Sequence, residues 1–241
     1  NFLSTIIMRI VGEHYVLNKN ERQKMSTFDT YNNLFGTIWY NAKRYGITNL
    51  GVALLAQSNI FLGGLFLSIE SVGELGLTIQ IFSILVVLSK TPLNSYSPKI
   101  SSLFVAGDLR QIKQIFIRCQ TVNYIIYFVG SIIIIMYGNI ILSNIIHSNT
   151  LLPSKPVLYL YFFFYLMELT HGNCVSVISA ENRVPFYKAS IISGIISVTV
   201  TFSLLYLQVG IYSFPIGLIS GSLPYNSWKW PLVLYKRLNY E

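Results

Sequence analysis

The sequence has few charged residues and only two cysteines, and each shortage excludes a class of protein. Charged residues make up 11% of the 241 positions, whereas about a quarter of the residues in a soluble domain are charged. An ordinary soluble fold is therefore excluded. Cys119 and Cys174 fall in or beside apolar stretches, which argues against a disulfide framework. No spacing of cysteine and histidine residues fits a zinc or haem site.

The residue groupings on which most enzymes depend are also missing. The sequence shows no nucleophile beside a base, no glycine loop suited to cradling a phosphate, and no carboxylate pair with acid–base spacing. The three histidines are scattered. We therefore predict that the protein is not an enzyme and uses no cofactor.

Long apolar blocks dominate what is present. Hydrophobic residues make up 53% of the chain, and the mean hydropathy is +0.54. The blocks are about twenty residues long, the length of helix that crosses roughly 30 Å of hydrocarbon. The net charge is +8, but the basic residues lie between the apolar blocks. This pattern reports membrane topology rather than nucleic-acid binding, and it predicts an all-α polytopic membrane protein.

Six blocks are long enough to cross a bilayer, and they form a predicted lobe over residues 47–237. The predicted spans are residues 47–69, 73–97, 120–146, 157–180, 186–208 and 211–235. Residues 1–12 are apolar but too short to span, and the chain starts with Asn1 rather than Met. We expect residues 1–12 to be the tail of a preceding transmembrane helix, and the chain to be the C-terminal part of a longer protein.

Residues 13–46 are polar and mixed in charge, which predicts a cytoplasmic linker. From Thr30 to Arg44 apolar residues recur at helical spacing. The pattern indicates an amphipathic helix in the membrane interface, with Trp39 and Tyr40 at headgroup depth. A solvated loop helix fits the same pattern.

Basic residues predict how the six spans are oriented. With the linker in the cytoplasm, Lys155, Glu70 and Glu74 fall on the opposite side. The cytoplasmic segments then collect Lys19, Arg22, Lys24, Lys43, Arg44, Lys99, Arg110, Lys113, Arg118, Arg183, Lys188, Lys236 and Arg237. Because lysine and arginine in short loops stay on the cytoplasmic side, both ends of the chain are predicted to be cytoplasmic.

The second predicted span carries a charge, Lys90, on a mostly polar helix face. Positions spaced by threes and fours share that face, and they are Gly76, Gln80, Ser83, Val87, Lys90, Asn94 and Ser97. Such a face in a bundle usually lines a water-filled cavity or meets another polar helix. Alternatively, Lys90 reaches the headgroups by snorkelling. Pro92 is expected to kink the same helix.

Glu168 is a second charge, placed near the membrane midplane. It lies about twelve residues from the outer end of the fourth span, and His171 is beside its face. One reading makes Glu168 an ion-coupling or substrate-contact residue; the other makes it a protonated carboxyl bonded to a neighbouring helix. In the first span Gln57 and Asn59 cannot share one face, so at most one of them lines a cavity.

Small residues in the last two spans predict helix packing rather than chemistry. The fifth span carries Ser190, Ser193, Gly194, Ser197 and Thr201 at threes and fours, and the sixth has Gly217 and Gly221 four apart. Prolines predict that the sixth span is irregular, and they are Pro215, Pro224 and Pro231.

The block from Leu62 to Phe116 resembles the polysaccharide-biosynthesis flippases, the O-antigen transporters related to lipid II flippases and to multidrug exporters of the MATE fold. The shared features are a helix, a tight outer turn at Val72-Gly73, a second helix, and a P-x-I-S-x-L-x-x-x-G-D loop. That loop is formed here by Pro98, Ile100, Ser101, Leu103, Gly107 and Asp108. The Ala180–Pro185 connector also fits, whereas Leu75 replaces the usual aromatic after the turn.

The resemblance implies one six-helix lobe of a two-lobe, MATE-like transporter in the bacterial inner (cytoplasmic) membrane. Its substrate would be a polyprenyl-diphosphate-linked oligosaccharide, such as an O-antigen unit of lipopolysaccharide, moved by alternating access. Lys90 and Arg44 would bind the diphosphate, and Glu168 would couple an ion. The glycan would meet Gln80, Asn94, Gln57 and Tyr165. The protein would also contact membrane lipids, and the resemblance allows a contact with polysaccharide polymerase machinery but none with nucleic acid.

Two other functions are consistent with parts of the sequence. A membrane polysaccharide polymerase or glycosyltransferase would need a sizeable outer loop, and the predicted outer loops are only a few residues long. The sequence of one lobe poorly distinguishes an oligosaccharide flippase from a drug or cation exporter of the same fold.

Overall fold

The computed structural model describes residues 28–181 and 184–239, and all their regular elements are helical. The α-helices are α1 Phe28–Phe66, α2 Ile69–Ser95, α3 Ser97–Ala106, α4 Leu109–Asn144, α5 Lys155–Ser179, α6 Tyr187–Tyr206, α7 Ser213–Ser222 and α8 Lys229–Asn239, and a 3-10 turn covers Gly210–Tyr212. The all-α prediction is confirmed. The expected helix tail at 1–12 and residues 13–27 of the predicted linker lie outside the described residues.

The chain divides into two compact units, residues 1–42 and 43–241. The first unit is described only from residue 28, where it is helical. The second unit contains the helix bundle and the cavity described below.

Four stretches of the described chain are long and apolar enough to cross a membrane, where the sequence predicted six. They are Ala42–Phe66, Ile69–Ser95, Leu109–Asn144 and Tyr187–Tyr206. Helix α5 is 25 residues long, but its tyrosines and the polar side chains of Glu168, His171 and Asn173 lower its hydropathy.

The predicted sixth span is divided between two short helices. Helix α7 has ten residues and α8 has eleven, with turns between them. Pro215 and Pro231 lie in the first turns of these helices, where proline is tolerated, and Pro224 lies between them, where it cannot continue a helix. The irregular helix that the prolines predicted is confirmed.

The boundaries of α1 and α2 differ from the predicted ones. A single helix, α1, covers the whole of the predicted interfacial helix at residues 30–44 and nearly all of the first predicted span. The following turn comes at Leu67-Ser68, before the Val72-Gly73 pair in which it was expected. The reason is a helix cap: the Ser68 side chain accepts a hydrogen bond from the Ser71 N–H at 3.3 Å.

The predicted proline-to-aspartate loop is a helix–turn–helix. Pro98 occupies the first turn of α3, and Gly107 ends that helix with a left-handed backbone (φ 75°). Asp108 then caps α4 by accepting a hydrogen bond from the Gln111 N–H at 2.9 Å. Helix α4 therefore starts at Leu109, eleven residues before the predicted span.

Two apolar clusters hold the bundle together. The larger joins α2, α4, α5 and α7, and its fully buried members include Phe82, Tyr127, Tyr161, Leu169 and Phe214. The smaller joins the C-terminal halves of α2 and α5 to the start of α4 and to α8, and it includes Leu93, Ile112, Val177, Trp230 and Leu234. Burial of these side chains positions α2 and α5 side by side.

A buried amide network also connects α2, α4 and α5. The Asn173 Nδ2 group donates to Gln120 Oε1 at 2.8 Å and to the Asn123 side-chain oxygen at 2.9 Å. The Asn123 nitrogen in turn donates to the Ser89 and Cys119 carbonyls, at 2.6 and 2.9 Å. Polar side chains of this kind link helices within membranes.

Helices α6 and α7 approach closely through the small residues that predicted packing. Ser193, Ser197 and Thr201 are buried on α6. A Cβ atom placed on Gly221 would lie 2.5 Å from the Ser193 carbonyl oxygen and 2.8 Å from Ser197 Cβ. The packing prediction is confirmed, since no side chain fits at Gly221 without moving one helix.

Candidate functional site: a polar cavity in the helix bundle

A cavity of about 210 Å³ lies between α1, α2, α5, α6 and α7. Apolar atoms supply most of the surface of its wall, and polar side chains from several helices also line it, a combination typical of ligand sites. The principal polar residues are Asn59, Ser83, Tyr165, Glu168, His171 and Asn226.

Tyr165 is fixed on the cavity wall by stacking and hydrogen bonds. Its ring stacks on Phe82 with centroids 5.5 Å apart and planes within 4° of parallel. Its hydroxyl donates to the Ile79 carbonyl at 3.2 Å, and Ser83 Oγ lies 3.1 Å away. The phenol therefore bridges α5 to α2 at a fixed position beside the cavity.

Glu168 and His171 form a pair one helical turn apart on α5. The His171 Nδ1 atom lies 3.6 Å from Glu168 Oε2. Both ring nitrogens of His171 are buried and make no hydrogen bond to any described residue. The Glu168 side chain is 37% exposed, so the cavity gives this carboxylate room to accept a proton or a ligand.

Lys90 extends from α2 toward α5 and contacts Gly172. Its ammonium nitrogen occupies the space that a side chain at position 172 would fill, and its Cε lies 3.0 Å from the position of such a Cβ. Glu168 Oε1 lies 3.9 Å from the same position.

The structure separates the predicted site residues into two groups. Tyr165 and Glu168 line the cavity, and Lys90 lies beside it. The other predicted residues do not line the cavity: Gln57, Gln80 and Asn94 have exposed side chains, and half-buried Arg44 stacks over the Tyr187 ring at 5.0 Å.

Other cavity residues were not predicted as site residues, and they include Asn59, His171 and Asn226. Asn59 is buried against the cavity, whereas Gln57 is exposed; the sequence allowed only one of the two. His171 lies one turn from Glu168, and that spacing is a usable signal. Asn226 gave no signal, because it comes from a turn. It reaches the cavity by bonding to Ser193 Oγ at 3.0 Å and Trp230 Nε1 at 3.3 Å.

The described residues hold no group of three histidine, cysteine, aspartate or glutamate side chains that could bind a metal ion. Glu168 and His171 contribute only two such groups to the cavity. The chemistry available there is proton exchange at the carboxylate and imidazole, charge pairing at Lys90, and hydrogen bonding by Tyr165 and the amides.

No family model, curated protein or solved structure matches the chain.

Proposed function

We propose that the chain is one lobe of a transporter that moves a lipid-diphosphate-linked oligosaccharide across the bacterial cytoplasmic membrane by alternating access. The observation that carries the proposal is the meeting of Lys90, Glu168 and His171 beside a cavity within apolar helices. Ionisable residues inside membrane helices are costly, and by default they mark a pathway or a partner.

The chemistry of the site suits the two ends of such a substrate. A diphosphate needs a cation, which Lys90 supplies as a compact ammonium with three donors. A glycan needs fixed hydrogen-bonding groups, and Tyr165, Ser83 and the two cavity asparagines offer them. These groups lie on different helices, so a bound sugar would contact α1, α2 and α5 together.

The cavity is too small to enclose an oligosaccharide. Drug-sized ligands occupy pockets of about 300–1,000 Å³, whereas this one has about 210 Å³. The exposed side chains of Gln80 and Asn94 continue the polar face of α2 beyond it. Since polar groups facing lipid are unfavourable, we place this face toward a central pathway that a second lobe would complete.

The proposal includes six membrane crossings. Helix α5 is long enough, since 25 residues cover about 37 Å, and its buried Tyr161, Tyr165 and Asn173 face the bundle rather than lipid. Helices α7 and α8 together provide the sixth crossing. Both ends of the lobe are then cytoplasmic, as the basic residues predict.

Replacement of Lys90 tests the proposal. In cells whose surface polysaccharide depends on this protein, we expect Lys90→Ala to reduce polysaccharide display by about tenfold, because the diphosphate loses its cation. Membrane insertion, measured by immunoblot of the membrane fraction, should be unchanged. Lys99→Ala is the matched control, because Lys99 is exposed on α3. Normal display in the Lys90 variant would assign the amine to headgroups instead.

One observation favours a drug or cation exporter as the second candidate. The cavity combines a carboxylate, Glu168, with the aromatic side chains of Phe164 and Tyr165, and such a combination attracts small lipophilic cations. An exporter would lower the susceptibility of cells to cationic dyes without any change in surface polysaccharide. A change in surface polysaccharide without any change in the susceptibility to cationic dyes would support the oligosaccharide transporter.

A further inference from the structure

We infer that Glu168 is the exchangeable counter-ion of Lys90: charged Glu168 retains the ammonium at Gly172, and protonated Glu168 releases it to the diphosphate. This inference rests on the proposed function, because it requires Lys90 to bind the anionic end of the substrate. It assigns Gly172 a positioning role and makes Glu168 the group that regulates anion binding.

Gly172 is the structural basis of the arrangement. Any Cβ at position 172 would overlap the Lys90 ammonium and lie 3.0 Å from Lys90 Cε. Glycine therefore forms a notch on α5, four residues after Glu168, in which the amine rests. Glu168 Oε1 lies 3.9 Å from that Cβ position, so the carboxylate and the amine lie close enough to attract each other through space without a direct ion pair.

The charges around Glu168 leave Lys90 as its cation from another helix. Lys90 comes from α2 and lies beside Gly172, whereas His171, whose Nδ1 lies 3.6 Å from Glu168 Oε2, belongs to α5 itself. The cavity residues that face Glu168 from α1, α6 and α7 carry no charge, and they include Asn59, Ser190 and Leu218. Among the described residues that line the cavity, Glu168 and His171 are therefore the acid–base side chains that a test must separate, because the Tyr165 phenol is engaged in hydrogen bonds with Ile79 and Ser83.

Proton binding and anion binding then favour each other. With Glu168 ionised, Lys90 and Glu168 together carry no net charge, and the amine is retained. When Glu168 takes a proton from solution, the pair becomes a single positive charge and the amine is free to meet a diphosphate. Linkage requires the reciprocal effect, so bound diphosphate must promote protonation of Glu168.

Binding of farnesyl diphosphate to the full-length protein in nanodiscs tests the inference. We expect the wild-type affinity to be about fivefold higher near pH 4.5 than near pH 8, because a glutamate takes up its proton in the acidic range. Lys90→Gln measures how protonation of the probe itself changes binding, and the expected difference is beyond that change. Glu168→Gln should bind at both pH values with the higher wild-type affinity. Gly172→Ala should raise the affinity near pH 8, because its Cβ displaces the amine from the notch.

Matched variants separate the alternative explanations. Gly76→Ala is the control for Gly172→Ala, because a Cβ on Gly76 would meet no atom within 4 Å. His171→Gln should keep the pH response. If His171→Gln abolishes the response and Glu168→Gln retains it, the imidazole is the switch and the inference is wrong. Size-exclusion profiles identify any variant that fails to fold, and Glu168→Gln, which adds no volume, tests the inference independently of Gly172→Ala.

Failure of this inference can be distinguished from failure of the proposed function. If Lys90→Gln binds the probe as tightly as the wild type, Lys90 is not the diphosphate ligand and the proposed site is wrong. If Lys90→Gln loses binding while Glu168→Gln keeps the wild-type pH response, only the counter-ion role is overturned. Loss of binding in Gly172→Ala, with Gly76→Ala unaffected, would also overturn it, because the notch would then hold the amine for the ligand.

Discussion

Tyr165 shows how one residue can pack in the core and line the cavity at the same time. Its ring lies in the core against Phe82, and its hydroxyl bonds to Ile79 and Ser83 at the cavity. A tyrosine has few rotatable bonds, so stacking and two hydrogen bonds fix it fully. A phenol fixed in this way loses no further freedom when it binds a sugar hydroxyl.

Tyr165→Phe should lower stability while leaving the ring stack intact. We expect a loss of about 1 kcal/mol, because Ser83 and the Ile79 carbonyl lose their partner. Thermal unfolding of the purified protein in detergent measures this loss. Tyr159→Phe is the control, since Tyr159 is 55% exposed. An equal effect of the two substitutions would show that the hydroxyl contacts contribute nothing to stability.

At the scale of elements, the close contact between α6 and α7 depends on residues with very small side chains. The motif Gly217-x-x-x-Gly221 faces Ser193, Ser197 and Thr201. Lipid tails are as apolar as leucine, so helices in a membrane gain little from hydrophobic burial. They gain from close van der Waals contact, which small residues permit. The sequence therefore indicated this contact, although it did not identify which helix each glycine would meet.

Gly221→Ala should destabilise the bundle more than an alanine elsewhere. The added Cβ would lie 2.5 Å from the Ser193 carbonyl oxygen, and overpacking of this kind costs about 1–3 kcal/mol. The yield of monodisperse protein after mild heating measures the effect. Gly64→Ala provides the control, because a Cβ on Gly64 would meet no atom within 4 Å. If Gly64→Ala lost as much protein, helix packing at Gly221 would not be the cause.

At the scale of the whole molecule, the number of crossings determines which side of the membrane each loop faces. Four stretches satisfy a length and hydropathy criterion in the described chain, whereas our proposal has six crossings. The difference lies in α5, which buries its polar residues within the bundle, and in the pair α7 and α8. Hydropathy counts a buried tyrosine as a cost to insertion, although in a folded bundle it faces other helices.

A single cysteine at position 209 separates the two topologies. With six crossings Val209 faces outward, and a membrane-impermeant maleimide should label Val209→Cys in intact cells. With only the four hydropathy-defined crossings it would face the cytoplasm. Asn149→Cys should be labelled in both cases and Ala106→Cys in neither. The native Cys119 and Cys174 are buried, which keeps background labelling low. Protection of Val209→Cys would overturn the six-crossing arrangement.

The sequence by itself determined the features that depend on local chemistry. Apolar blocks of bilayer length predicted the helices, prolines predicted the broken segment before α8, and small residues at spacings of three and four predicted close packing. The periodic face of α2 likewise grouped Lys90 with Gln80, Ser83 and Asn94, but it left open whether the amine faces a cavity or reaches the headgroups.

Only the tertiary structure decided which of these residues meet. Lys90 and Gly172 are 82 positions apart in the sequence, and nothing in either neighbourhood indicates that glycine leaves room for the amine. The cavity likewise includes Asn59 rather than Gln57, together with Asn226 from a turn. A helical period identifies the face on which a residue lies, but the partner of that face depends on how side chains from other helices fill the space between them.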